Sequence, residues 1–149
     1  MKTSFLLLFL SVLIFSNCTL EDRLERREDR IVGTWIFDRA HFDEDGDLFC
    51  DNVIDDFRGD RVTFFPNFTV TYDDANGNFF EGEWLMSAIR NTGDDEDDVE
   101  FLLDVDFFDI NDLPSFTWIA TVTRLNQNRL HLHVQERSGR FIFKFRRVD

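Results

Sequence analysis

The chain has 149 residues, enough for one domain with a core of its own and too few for two of ordinary size. Its formal net charge of −14 argues against nucleic-acid binding, which needs clustered Lys and Arg to displace counterions, and against electrostatic adhesion to anionic lipid. Nineteen phenylalanines beside three tryptophans and one tyrosine exclude a disordered acidic chain, because such chains are poor in aromatics; this one folds around an aromatic core.

Met1-Lys2-Thr3-Ser4 leads into an apolar run, Phe5 to Phe15, of the length of a signal-peptide core. It is shorter than the ~20 residues that span a bilayer. The run closes on Phe15-Ser16-Asn17-Cys18, small residues before a cysteine, which resembles the lipobox of bacterial lipoproteins, although Phe15 and Asn17 differ from its commonest residues. The resemblance implies that residues 1–17 are removed and that Cys18 carries diacylglycerol and an acylated amino group. Such a set of two or three chains holds a protein firmly where one chain does not. With Thr rather than Asp at position 19, the resemblance implies the outer membrane, on its periplasmic or cell-surface face; secretion without an anchor is the alternative. Residues 18–30 are almost wholly charged apart from Leu20 and Leu24 and read as a tether. Consumption of Cys18 leaves Cys50 without a partner, and it is expected as a buried thiol acting as a small hydrophobe, with an exposed reactive thiol or an intermolecular disulfide as the alternative.

From Ile31 the pattern is period two, and its breaks fall at turn residues. Ile31–Phe42 is the first strand, with Gly33, Trp35 and Phe37 on one face. An acidic loop follows. Leu48–Phe57, in which Phe49, Val53 and Phe57 recur every four residues, predicts a short amphipathic helix able to close one mouth of a barrel. Arg61–Phe65 turns Val62 and Phe64 one way, and Phe68–Tyr72 aligns Phe68, Val70 and Tyr72. After an Asn76-Gly77 hairpin signal, Phe79–Ile89 repeats the glycine–tryptophan spacing in Gly82-Glu83-Trp84. Val99–Phe107 places Phe101 among five apolar positions, and Phe116–Leu125 places Trp118 among four. Arg129–Glu136 alternates Leu130, Leu132 and Val134 with His131 and His133. Arg140–Val148 aligns Phe141, Phe143, Phe145 and Arg147.

Eight strands with mostly short connections pair antiparallel, and eight is the number at which a closed barrel is just filled by side chains or holds one small ligand. The expected fold is an all-β, eight-stranded up-and-down barrel over residues 31–149, with a β-sandwich as the alternative. Outward positions such as Glu83, Asp104, Thr121 and Lys144 disfavour a transmembrane barrel, whose outer face is apolar. Gly33-Thr34-Trp35, Gly82-Glu83-Trp84 and the strand count resemble the calycin group, in particular the lipocalin-like domains of small bacterial lipoproteins. That resemblance implies a tryptophan, here Trp35, packed across the closed end against a late arginine. Arg147 is the first candidate and Arg124, aligned with Trp118 and Val122, the second. The chain lacks the disulfide and the longer motifs of transport lipocalins.

Candidate chemistry is sparse. Asp43, Asp45 and Asp47 have the one-three-five spacing of a calcium loop, but Leu48 and Ile54 stand where its glycine and bidentate glutamate belong. The acidic turn Asp94–Asp98 reads as solvation. His131 and His133 point the same way but lack a third zinc ligand. Asp104 and Asp106 alternate with apolar residues and face outward, so the pair has no cleft for hydrolysis, and no nucleophile motif appears. No enzyme and no cofactor is expected. Phe37, Phe64, Tyr72, Trp84, Phe101, Trp118 and Phe143 converge on one interior, which either lines a site for a small apolar or amphipathic molecule or packs solid, since interiors fill to ~0.75 density. A solid barrel instead suits contact with another envelope component or a glycan.

Overall fold

The computed structural model describes residues 19–45, 49–90, 98–108 and 114–148. Residues 1–18, with the expected signal peptide and Cys18, residues 46–48 of the first acidic loop, residues 91–97 of the second, residues 109–113 and residue 149 lie outside that set.

An α-helix, α1 (Leu20–Ile31), precedes nine strands: β1 (Gly33–Glu44), β2 (Asp51–Asn52), β3 (Arg61–Phe64), β4 (Thr69–Asp73), β5 (Phe79–Arg90), β6 (Val99–Phe108), β7 (Pro114–Leu125), β8 (Arg129–Glu136) and β9 (Gly139–Val148). Every pairing is antiparallel. The order runs β1-β3-β4-β5-β6-β7-β8-β9, and β9 returns to β1 from Thr34↔Val148 to Glu44↔Gly139. That last ladder closes an eight-stranded up-and-down barrel and removes the free edges a sandwich would keep. The two-residue β2 hangs on the far half of β1.

Alternation places the core as the sequence requires. Trp35, Val62, Phe64, Val70, Tyr72, Trp84, Leu103, Val105, Trp118, Leu130, Leu132, Phe143 and Phe145 are all buried. Three register shifts interrupt the ladders: one between Phe107 and Phe108 where β6 meets the start of β7, and two β-bulges within the barrel wall, between Phe37 and Arg39 in β1 and between Val122 and Arg124 in β7. Each bulge inserts a residue and reverses the sense of alternation beyond it, so Ala40 and Leu125 point inward while Arg39 and Arg124 point out.

Four local expectations are corrected. The charged stretch behind Cys18 is a helix and not a tether. Thr19 and Asp22 form a reciprocal capping box, with the Asp22 amide donating to Thr19 Oγ1 at 3.2 Å and the Thr19 amide to Asp22 Oδ2 at 2.9 Å. Leu20, Leu24, Arg27 and Ile31 recur at helical spacing, Leu24 and Ile31 pack on the barrel core, and so the helix gains a partner that composition alone does not reveal. The Leu48–Phe57 helix shrinks to a single 3-10 turn, Ile54–Phe57. Asp51 and Asn52 use their backbone to pair with β1, and Asn52 Oδ1 accepts the Ile54 amide, which competes with an earlier helical start. Cys50 is consequently exposed, as is Phe49. Phe68 is in the left-handed region at φ 63° and exposed, so β4 begins at Thr69.

Candidate functional site

Gly33, Trp35 and Arg147 meet at the helix end of the barrel. The Arg147 guanidinium lies 4.4 Å over the Trp35 ring, and its nitrogens donate to the carbonyls of Val32 (2.7 Å), Gln127 (2.6 Å) and Arg30. Trp35 Nε1 donates to the Ile31 carbonyl at 2.7 Å. A Cβ on Gly33 would sit 2.2 Å from Arg147 Nη1, and φ there is +133°, so glycine is required twice over. This cluster ties β1, β9, the β7–β8 turn and α1 together with charge-assisted bonds aimed at carbonyls that would otherwise be left at a helix end. Arg124, the second candidate for this role, is exposed on the outer face because of the β7 bulge.

The second glycine–tryptophan pair has a different reason for its glycine. A Cβ on Gly82 would lie 1.9 Å from the Asp106 carbonyl oxygen, so this residue lets β5 and β6 approach. Trp84 donates to the Phe65 carbonyl at 3.2 Å and meets Phe64 edge to face at 5.8 Å.

The residues expected around an apolar site touch one another instead of a shared space. Phe37 on β1 contacts Trp118 on β7 across the barrel at 6.4 Å, Phe143 at 5.0 Å and Tyr72 at 6.3 Å. Trp118 in turn meets Tyr72 at 6.0 Å and Phe143 at 5.7 Å. Edge-to-face packing of this kind is favourable beyond the area it buries. Phe64 and Trp84 form a separate pair, and Phe101 lies apart under the guanidinium of Arg27 at 4.0 Å. The helix thus covers one mouth. Phe57 of the 3-10 turn closes the other, stacking on Phe37 at 5.0 Å and meeting Phe143 at 5.0 Å.

Asp60 was legible in the sequence only as a turn residue. It is the buried charged side chain among the described residues, accepting from the Tyr72 hydroxyl and, at 2.9 Å, from the Ala75 amide. Burial, reinforced by the Asp60 hydrogen bond, pushes the Tyr72 phenol far above its ordinary range. Both Asp60 oxygens are thereby committed to holding the β4–β5 turn against β3.

The remaining candidates lie outside the barrel. Asp104 and Asp106 are exposed, Asp106 accepting from Thr117 Oγ1 at 2.8 Å. His131 and His133 lie half-buried on the outer face of β8. Burial lowers both, followed by Lys144 for His131 and Arg140 for His133. Asp43 is paired with Arg140 at 2.8 Å; Gly46, Asp47 and Leu48 of the calcium-like loop lie outside the described residues, as does most of Asp94–Asp98. Depressions mark the outer surface. A groove of about 1050 Å³ runs over β4 and β5 between Phe65, Phe79, Phe108 and Glu83. A smaller one, about 360 Å³, is lined by Asp38, Arg39, Arg124, Arg129, His131 and Lys144.

No family model matches the chain, and no characterised protein or solved structure does so significantly.

Proposed function

We propose that this chain is a non-enzymatic lipoprotein of the bacterial envelope, anchored at the outer membrane through Cys18, whose lipocalin-like barrel is solid and acts through its outer surface. The aromatic contacts that run from Phe37 to Trp118 and Phe143 carry the second half of this reading, because rings in contact across the barrel leave no room for a lipid-sized guest. The Phe15-Ser16-Asn17-Cys18 resemblance carries the first half.

Titration with fatty acids and other apolar probes, read by tryptophan quenching and by native mass spectrometry of material from the natural host, tests the solid barrel. We expect neither saturable quenching nor a co-purifying small molecule; a stoichiometric guest would restore the cavity-binding lipocalin reading. Cys18→Ser tests the anchor: the variant should lose membrane fractionation, and normal processing with retained membrane association would remove lipidation from the proposal.

A further inference from the structure

On a chain of net charge −14, one face of the barrel is basic. Arg39 on β1 is register-paired with Lys144 on β9, Lys144 with His131 on β8, and His131 with Arg124 on β7. All four side chains point outward along one rung of the sheet. Adjacent strands are ~4.8 Å apart, so the rung spans about 14 Å. Arg129 pairs with Arg146 on the neighbouring rung.

Both bulges serve this rung. By period two from Trp35 and Phe37, Arg39 would face the core; by period two from Trp118 and Val122, Arg124 would do the same. The extra residue in β1 and the extra residue in β7 turn each arginine outward to the same level. Bulges re-aim side chains in this way beside functional sites.

Among the described residues the rung is also uncompensated. Like charges directly opposite each other on a sheet destabilise it. Thirty acidic residues were available to neutralise these cations. The depression contains only Asp38, the bulge residue of β1, and its carboxylate is engaged by Arg129 at 2.8 Å. Arg39, Arg124 and Lys144 make no ion pair with a described residue. The opposite side of the barrel, β4 to β6, carries Glu81, Glu83, Asp104 and Asp106 on its outer face.

We propose that the Arg39–Lys144–His131–Arg124 rung is a binding site for a phosphate-bearing anion. The two guanidinium forks match phosphate oxygens bidentately, and Lys144 adds a point charge between them. The acidic far side turns the barrel so that this face meets the anion first. The site names a ligand class for the surface-acting barrel and rests on that reading, but not on the anchor.

The test uses the full chain and two probes: inorganic pyrophosphate, followed by calorimetry, and phosphatidylcholine vesicles with and without phosphatidylglycerol. The difference between the two vesicle compositions is read, so that an acyl anchor contributes equally to both. Binding in at least one arm, weakening as salt rises, is expected. Arg39→Gln with Arg124→Gln should weaken it about tenfold or more, the equivalent of one lost charge-assisted contact, with an unchanged circular dichroism spectrum. Glu81→Gln with Glu83→Gln on the far side changes the charge by a similar amount with the opposite sign and should not weaken it. Vesicle binding alone assigns a lipid headgroup, and pyrophosphate binding alone assigns a soluble phosphate. Failure of both arms, or undiminished binding by the arginine variant, overturns the site. A fatty acid found inside the barrel would overturn the solid-core reading and leave this result standing.

Discussion

Single residues at the helix end show why this barrel closes as it does. Gly33 is the point where the Arg147 guanidinium passes over the backbone, and Gly33→Ala forces a Cβ into it at a φ of +133°. The expected loss is about 1–3 kcal/mol in urea unfolding. Arg147→Met keeps the bulk over Trp35 but removes the donor to the Val32 carbonyl, which is part-buried, and to the Gln127 and Arg30 carbonyls, which water can reach, and should cost about 1–3 kcal/mol. Tyr72 offers a cleaner titration, because it is the only tyrosine in the chain. Its phenol is held protonated by burial and by Asp60, so the folded state keeps a proton that the unfolded chain releases near pH 10. The stabilising contribution is therefore complete below pH ~10 and declines as pH rises above it. Tyrosinate absorbance should appear only with unfolding, and Tyr72→Phe should flatten that alkaline slope while costing about 1–3 kcal/mol at neutral pH through the loss of a donor to Asp60.

Among the elements, α1 departs furthest from what its residues suggest. Twelve residues rich in Glu, Asp and Arg bury little when taken alone. Docked against the barrel, Leu24, Arg27 and Ile31 seal the mouth beneath Trp35 and Phe101. Thr19→Ala removes the cap and should cost about 1 kcal/mol, with faster amide hydrogen exchange in the first turn of α1 and little change in the strands. Ile31→Ala reaches the core itself and should cost about 2–5 kcal/mol. Comparing the two variants separates the free end of the helix from its anchored end. The 3-10 turn at Phe57 has the matching role at the other mouth; periodicity located that closure but overstated its length, because it cannot register the pairing of Asp51 and Asn52 with β1.

At the level of the whole molecule, the filled interior and the divided surface belong together. A barrel of eight strands has room for side chains or for one small guest, and here aromatic rings take that room. Trp118→Ala should open the space between Phe37, Tyr72 and Phe143. We expect a loss of about 3–5 kcal/mol and, in the surviving folded fraction, new saturable binding of an apolar probe that the parent protein does not bind. Absence of probe binding in a folded Trp118→Ala protein would show that the barrel collapses around the gap. With the interior occupied, the proposed recognition surface is the outside of the barrel, where basic side chains gather on β7, β8, β9 and β1 and acidic ones on β4 to β6.

The alternation of apolar and polar residues determined the strands, their inward faces and the eight-stranded count, because a slip of one residue would expose every buried side chain of a strand at once. The calycin resemblance implied a late arginine against Trp35, alternation put Arg147 first among the candidates, and the two side chains meet in the folded barrel. Three matters were decided only in three dimensions. The order of α1 depends on a docking surface built from strands far along the chain. The filling of the interior depends on how closely those strands pack their rings. The outward turn of Arg39 and Arg124 depends on two bulges that strict period-two reading cannot place, since an inserted residue is defined by the partner strand that leaves it unpaired.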